Sequence, residues 1–232
     1  MNKEINIKVV FITFYKFYVT VWKMLEQLKT NTNVIKIIKF GSVVYKTETP
    51  KSDVDYIVIV TDDYELVDRQ IKTDMEDFSF YRESEWLKMI DDCDVRCLET
   101  ESSSIYEYVK GSPYYCYVSL DYDKVRSSIS KTSSNSWVKC KKKYTVEKDY
   151  DPYKAKKSLF HSLRILMFGI QIMKYGMIKD FKEANYLHKE IVEDTWNDDK
   201  SWEYFKEKYQ PLYNKLKTQF KLEHKKKCNN LI

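Results

Sequence analysis

Two short motifs joined by a turn-rich spacer constrain the fold of this chain most strongly. Gly41-Ser42 follows an apolar run, Val34–Phe40, and a spacer of ten residues then leads to Asp53-Val54-Asp55 and a second apolar run, Tyr56–Val60. Apolar runs of this length bounded by Gly, Pro and Ser are typical of strands. The sequence therefore predicts two strands, with a small residue pair at the end of the first and two carboxylates at the start of the second.

The spacing of the two aspartates is informative because side chains in a strand alternate between faces. Asp53 and Asp55 would share one face, about 7 Å apart along the backbone, which suits the bridging of metal ions. Mg²⁺ bound to a nucleoside triphosphate prefers a few carboxylate oxygens together with phosphate oxygens. Gly41 would let the backbone approach the phosphates, and Ser42 offers an N–H and a hydroxyl donor.

Gly-Ser, ten residues and Asp-x-Asp resemble the signature of the DNA polymerase β nucleotidyltransferase superfamily. The resemblance implies a site with two Mg²⁺ ions, or Mn²⁺ in their place, held by Asp53, Asp55 and a third carboxylate. Asp77 is the best candidate for that third carboxylate, which in the superfamily acts as the general base on the attacking hydroxyl. Asp94 and Glu99 are alternatives that the sequence leaves open.

A second group of candidate residues lies on a predicted long helix that starts at Asp151-Pro152 and runs to about Lys174. Lys154, Lys157, His161 and Arg164 recur on one stripe of this helix. Spacing alone favours packing and solvated charge over ligand binding.

The run Lys156–Arg164 and the later Gly176 resemble one branch of the superfamily, the RNA-repair-associated predicted nucleotidyltransferases. Asp77–Tyr81, Trp86-Leu87 and Val95–Glu99 resemble its middle, so the likeness covers residues 35 to 185. It implies that Lys157, His161 and Arg164 contact phosphates or the acceptor.

The remaining patterns predict an α+β fold, with a small mixed twisted sheet flanked by helices and a C-terminal helical region. Expected helices include 7–28, a short one within Asp62–Asp74, Glu83–Ile90 with Trp86, Leu87 and Ile90 inward, Trp137–Tyr144, Glu183–Glu193 and Trp202–Leu222. Expected strands include Asp77–Tyr81 and Val95–Leu98. The long helix should bury Leu159, Leu163, Leu166, Ile170 and Met173.

A Ser/Thr-rich stretch, Ser127–Ser136, predicts a break between a catalytic domain at 1–125 and a basic helical domain at 126–232. Charge divides in the same way. The first part carries 16 Lys and Arg against 22 Asp and Glu, net −6, and the second carries 24 against 13, net +11. Clustered lysines in the second part would attract triphosphate and a polynucleotide backbone.

Five cysteines without a Cys-x-x-Cys pair predict reduced thiols in a cytoplasmic protein and argue against a structural zinc site. Lysines interrupt the apolar N-terminal run, so no membrane-spanning helix is expected. Oligomeric state is left open.

Three functions fit these patterns. The first is Mg²⁺-dependent transfer of a nucleoside monophosphate to an RNA 3′ end. The second is transfer to a protein side chain, as in minimal adenylylating antitoxins with the same signature. The third is an inactive nucleotide- or RNA-binding module. The presence of both paired carboxylates, Asp53 and Asp55, argues against this third function.

Overall fold

The computed structural model describes residues 24–49, 52–103, 105–110, 120–194 and 200–229. They divide into two compact units that interleave along the chain. The first comprises the described parts of Met1–Val43, Glu48–Trp86 and Ile105–Tyr115, and the second those of Val44–Thr47, Leu87–Ser104 and Cys116–Ile232. The domain division at residue 125 stays a prediction. None of the described helices is long and apolar enough to cross a membrane.

The first unit is built on a mixed sheet of five strands in the order β3-β4-β2-β1-β5. The strands are β1 (Val34–Phe40), β2 (Val54–Val60), β3 (Gln70–Lys72), β4 (Glu76–Arg82) and β5 (Tyr106–Val109). β2 runs parallel to β4, whereas the β1–β2, β1–β5 and β3–β4 pairs are antiparallel. Helix α1 covers residues 24–30 in the described part of the chain. The predicted α+β fold with a mixed sheet is confirmed.

One face of this sheet forms a hydrophobic core. Alternate residues of the strands supply it because side chains of one strand point to opposite faces in turn. The aromatic rings of Tyr56 on β2 and Phe78 on β4 stack with their centroids 5.0 Å apart. The buried members of this core are Leu28, Val34, Ile37, Tyr56, Val58, Val60, Phe78 and Phe80. Asp55 and Asp77 alternate with these residues and belong to the opposite face.

The second unit consists of helices. They are α4 (Val95–Ser103), α5 (Tyr122–Thr145), α6 (Pro152–Tyr175), α7 (Asn185–His188) and α8 (Trp202–Asn229), with a 3₁₀ turn at Glu147–Asp149 and a π-helical turn at Lys189–Glu193. Two further helices each contain residues of both units. They are α2 (Ser42–Tyr45) and α3 (Glu83–Asp91).

Helix α6 is the core of the second unit and begins and ends as predicted. Asp151 accepts a hydrogen bond from the Lys154 N–H, Pro152 occupies the first turn, and Gly176 ends the helix in the left-handed conformation. All five predicted core residues of α6 are buried: Leu159, Leu163, Leu166, Ile170 and Met173.

The predicted break at Ser127–Ser136 is wrong, because these residues lie inside α5. Ser133 Oγ donates to the Ser162 carbonyl at 2.9 Å, and Ser162 Oγ donates to the Ser133 carbonyl at 2.9 Å. These reciprocal bonds satisfy two buried hydroxyls while small side chains let α5 and α6 approach closely. The serines of this segment therefore serve helix packing, although a Ser/Thr-rich composition by itself predicts a loop.

Three smaller predictions also fail. Val95–Leu98 is the start of α4 and not a strand, because Asp94 Oδ1 caps this helix by accepting from the Arg96 N–H at 2.9 Å. The segment Asp62–Asp74 contains strand β3 and no helix. Leu87 is exposed, although Trp86 on the same helix is buried.

Most other predicted elements are confirmed. They are the strands Val34–Phe40 and Asp77–Tyr81 and the helices at Glu83–Ile90, Trp137–Tyr144, Pro152–Lys174 and Trp202–Leu222. Glu183–Glu193 holds a short helix and a π-helical turn. Most of the predicted helix 7–28 falls outside the described residues.

Gly169 tests the close packing of the second unit. A Cβ at this position would lie 2.7 Å from Ile129 Cγ2 on α5 and 2.9 Å from Phe220 Cε2 on α8. We expect Gly169→Ala to lower the free energy of unfolding by about 1 to 3 kcal/mol through overpacking, in spite of alanine's better helix propensity. Urea denaturation measures the change, with Lys174→Ala on the exposed side of α6 as control. A Gly169→Ala variant as stable as the parent would contradict this packing.

Candidate active site

The first unit brings three carboxylates together at one end of its central strands. β2 and β4 are in parallel register with Asp55 directly opposite Asp77, and neighbouring strands lie about 4.8 Å apart. Asp53 precedes β2 by one residue and alternates onto the same face as Asp55. The sequence predicted all three residues as one group, and the strand pairing explains why Asp77 joins the Asp-x-Asp pair.

Gly41 lies against one of these carboxylates. It follows β1 with a φ of +72°, and β1 pairs with β2 so that Phe40 faces Asp55. A Cβ on Gly41 would lie 2.0 Å from Asp55 Oδ2, closer than any real contact. Two features therefore require glycine at position 41: the left-handed backbone conformation and the close approach of the Asp55 carboxylate. Ser42 is the first residue of the short helix α2.

Strand β3 places two polar side chains on the carboxylates. Lys72 Nζ lies 2.5 Å from Asp53 Oδ2 and 3.6 Å from Asp77 Oδ2. Gln70 Nε2 lies 2.8 Å from both carboxylate oxygens of Asp77. The hydrogen bond to Asp53 raises the pKa of Lys72, with a smaller contribution from Asp77. An ammonium group thus contacts two of the three carboxylates from an exposed edge strand.

Gln70 and Lys72 were missed in the sequence. They are two residues apart, so a strand at this point would have put both on one face. The predicted short helix in Asp62–Asp74 concealed that spacing. The antiparallel pairing of β3 with β4 brings Gln70 and Lys72 to the carboxylates.

The alternative third carboxylates occupy other environments, both in the second unit. Asp94 caps α4 and also contacts Arg96 Nε at 3.3 Å. Glu99 is buried on α4, where Tyr45 Oη donates to its Oε2 at 3.0 Å. Asp77, in contrast, lies in register with Asp55. The role of Asp77 as the third carboxylate stays a prediction.

The predicted residues of α6 have internal partners. The Arg164 guanidinium is buried, stacks over the Tyr45 ring at 3.6 Å and lies 3.9 Å from Glu99 Oε1. Arg164 Nη2 also donates to His161 Nδ1 at 2.9 Å, since arginine cannot accept. Lys157 is exposed, and its ammonium lies 5.4 Å from the centre of the Tyr153 ring. Only Lys157 of these three presents its charge to solvent.

Burial is the main cause of the pKa shifts of Glu99 and His161. Desolvation raises the pKa of Glu99 to about 7, although Arg164 and Tyr45 oppose the shift. Desolvation lowers the pKa of His161 to about 3, and the positive charge of Arg164 adds to this effect. His161 is therefore a neutral acceptor at physiological pH, with its proton on Nε2. It is held as a hydrogen-bond partner of Arg164.

Glu99→Gln should change how stability depends on pH. The native pKa of Glu99, about 7, lies above its ordinary value of 4.5, so the native state holds more protons between these limits. Stability of the parent should therefore fall as pH rises from about 5 to about 8, relative to Glu99→Gln. Urea unfolding at several pH values measures this difference, with exposed Glu203→Gln as control. A difference between parent and Glu99→Gln that is constant across this range would contradict the buried titration.

Comparison with known proteins finds a family model that matches the part of the chain with this geometry. Residues 23–115 match the family model described as polymerase beta, nucleotidyltransferase. The match covers β1 to β5 together with Gly41, Ser42 and the three carboxylates. It supports the DNA polymerase β-like nucleotidyltransferase superfamily for this part of the chain and nucleotidyl transfer as the class of activity. The RNA-repair branch stays a prediction.

Two solved structures are similar over most of the chain. A nucleotidyltransferase-like protein from Exiguobacterium sibiricum 255-15 is 10% identical, with 88% of this chain and 73% of that chain covered and a TM-score of 0.33. A spectinomycin adenyltransferase from Enterococcus faecialis, solved with ATP and spectinomycin, is 14% identical, with 89% and 99% covered and a TM-score of 0.45. No curated protein sequence matches the chain.

Proposed function

We propose that this protein transfers a nucleoside monophosphate from a nucleoside triphosphate to a hydroxyl acceptor, an RNA 3′ end, and releases pyrophosphate. The observation that carries the proposal is the parallel register that sets Asp55 opposite Asp77, beside the backbone of Gly41. The family match over residues 23–115 supports the reaction class. The acceptor is the finer part of the proposal and rests on charge.

The carboxylates fit the metal ions that this class of enzyme uses. Asp53, Asp55 and Asp77 supply hard oxygen ligands, and the position of the Lys72 ammonium beside Asp53 and Asp77 supports a cation at this group. Asp53, Asp55 and Asp77 would hold two Mg²⁺ ions, with Mn²⁺ as the alternative. Such ions would neutralise the triphosphate and stabilise the negative charge that develops on the leaving group. Lys72 is exposed enough to move aside when they bind.

The chain's own groups account for binding and proton transfer. The backbone at Gly41, which Asp55 already approaches closely, is proposed to contact a phosphate, and Ser42 supplies an N–H and a hydroxyl as donors. The acceptor oxygen bonds to the α-phosphorus, the bond from that phosphorus to pyrophosphate breaks, and Asp77 takes the acceptor's proton. Gln70 holds both Asp77 oxygens and so orients this base.

The helical unit supports a polyanionic acceptor. Exposed lysines lie on α5 and α8, and residues 126–232 carry a net charge of +11. Lys157 is the residue of the α6 stripe that we propose for phosphate contact, because its charge is exposed. We propose that His161 and Arg164 contribute indirectly to that contact. His161 accepts a hydrogen bond from Arg164, which contacts Tyr45 and Glu99, and this cluster helps to hold α6 in place.

Labelled nucleotides test the reaction. The protein is incubated with labelled ATP, GTP, CTP or UTP, Mg²⁺ and total RNA, and label on RNA is expected. Asp53→Ala with Asp55→Ala should reduce transfer more than about 100-fold, since loss of groups that merely orient metal ligands costs about 10- to 100-fold. Transfer that survives the double substitution would overturn the assignment.

The same assay separates the acceptors. Label on a protein band would replace RNA by a protein side chain, and label on a small molecule would exclude both. Triphosphate binding that is independent of Mg²⁺, with no transfer, would indicate an inactive binding module.

Two glycines with the same backbone conformation provide a matched pair. Gly41 and Gly176 have φ values of +72° and +77°, but only Gly41 faces a carboxylate, whereas a Cβ at Gly176 meets open space. Gly41→Ala should abolish transfer because Asp55 must move, and Gly176→Ala should lose stability alone, through strain of the order of 1 kcal/mol. Transfer rates and urea unfolding of both variants measure this. Equal loss of activity in both would show that strain alone is responsible.

A further inference from the structure

A second group of metal-binding side chains lies in the helical unit. Asp123 stands in the first turn of α5, and His224 and Cys228 stand near the end of α8. Their ligand atoms all lie within 4.8 Å of one another. Within the described ranges, no other three His, Cys or acidic side chains have ligand atoms this close to one another, the carboxylates of Asp53, Asp55 and Asp77 included. The proposed transfer reaction does not use it.

Local structure fixes all three residues. His224 and Cys228 are four residues apart and therefore share one face of α8. Asp121 caps α5 by accepting from the N–H groups of Asp123 and Lys124, which holds the first turn in place. His224 is buried, Cys228 is half-buried, and the Asp123 side chain is 82% exposed. The group is thus rigid on two helices and open to solvent on one side.

In this group, His224 Nε2 lies close to both Asp123 and Cys228. His224 Nε2 lies 2.8 Å from Asp123 Oδ1 and 3.5 Å from Cys228 Sγ. With a proton on Nε2, the nitrogen donates to Asp123 and cannot accept the thiol proton. Without that proton, its lone pair faces a carboxylate lone pair. Nδ1 has no hydrogen-bond partner in the part of the chain that the structure describes, so contacts at Nε2 orient the ring.

We propose that Asp123, His224 and Cys228 bind a soft divalent cation of the Zn²⁺ class, which joins the start of α5 to the end of α8. Imidazole nitrogen, thiolate and carboxylate are the ligands that zinc takes, and a single cation satisfies all three lone pairs. On binding, the Cys228 thiol loses its proton to solvent and His224 carries its proton on Nδ1. Water completes the coordination on the exposed side.

The distances suit a tetrahedral ion. Zinc–nitrogen and zinc–oxygen bonds of about 2.0 to 2.2 Å and a zinc–sulfur bond of about 2.3 Å separate neighbouring ligand atoms by about 3.4 to 3.6 Å. The Sγ–Nε2 distance of 3.5 Å already fits. The Oδ1–Nε2 distance of 2.8 Å must open slightly, which the exposed Asp123 side chain allows.

The prediction of no structural zinc site rested on the absence of a Cys-x-x-Cys pair, and our proposal departs from it. His224 and Cys228 at a four-residue spacing were the local signal, but Asp123 lies about a hundred residues away. The α5–α8 packing brings it in. A site assembled from two distant helices has no compact sequence motif.

Cobalt is the probe that tests the site in the metal-free protein of 232 residues. Co²⁺ should give a thiolate-to-cobalt charge-transfer band that saturates at one ion per chain, and Zn²⁺ should then abolish the band by competition. Cys228→Ser should lose this band, and His224→Ala should weaken Co²⁺ binding at least tenfold. Cys140→Ala, which alters a buried thiol elsewhere on α5, should keep the band.

The catalytic carboxylates provide a further control. Asp53→Ala with Asp55→Ala should keep the charge-transfer band, because that site contains no sulfur. Zn²⁺ should raise the melting temperature of the parent and leave that of Cys228→Ser unchanged. Absence of the band in the parent, or a band that persists in Cys228→Ser, would overturn the proposal. Should His224→Ala fail to fold, Cys228→Ser alone decides, since it changes a half-buried side chain near the end of α8.

Discussion

The parallel pairing of β2 with β4 is the constraint on which the candidate active site depends. The stacked rings of Tyr56 and Phe78, packed in the hydrophobic core, resist any slip of this register. A shift by one residue would turn the alternating side chains of one strand to the wrong face and expose that core. Asp55 and Asp77 alternate with the core residues and so meet on the other face. Packing of apolar side chains thus determines where the carboxylates stand.

Two carboxylate environments in this protein show how burial decides the use of a charge. Asp53 and Asp77 are partly exposed and contact the exposed ammonium of Lys72, so a metal ion can replace that contact at little cost in desolvation. Glu99 is buried with Arg164 and Tyr45, where desolvation favours its neutral form. Its pairing with Arg164 therefore serves helix packing, because an ion entering there would have to displace buried partners.

The sequence predicted the central strands, helix α6 and the pairing of Asp53 with Asp55 because each depends on short-range patterns, whereas Asp77 was named through the family resemblance. Alternation reveals β4, helical spacing reveals α6, and Gly41-Ser42 with Asp53-Val54-Asp55 is compact in sequence. The failures share a cause in tertiary contact. Ser127–Ser136 is helical because Ser133 and Ser162 exchange hydrogen bonds across α5 and α6. Lys72 reaches Asp53 and Asp77 through strand pairing, which no local pattern specifies.

The two proposed groups of ligands differ in chemical hardness, and this difference favours a different cation at each. Asp53, Asp55 and Asp77 offer oxygen alone, which suits Mg²⁺ and leaves it free to share its coordination with phosphates. Asp123, His224 and Cys228 offer oxygen, nitrogen and sulfur, a set that Mg²⁺ binds poorly and Zn²⁺ binds well. A protein with both sites would therefore load the transferase site with Mg²⁺ while zinc occupies the helices.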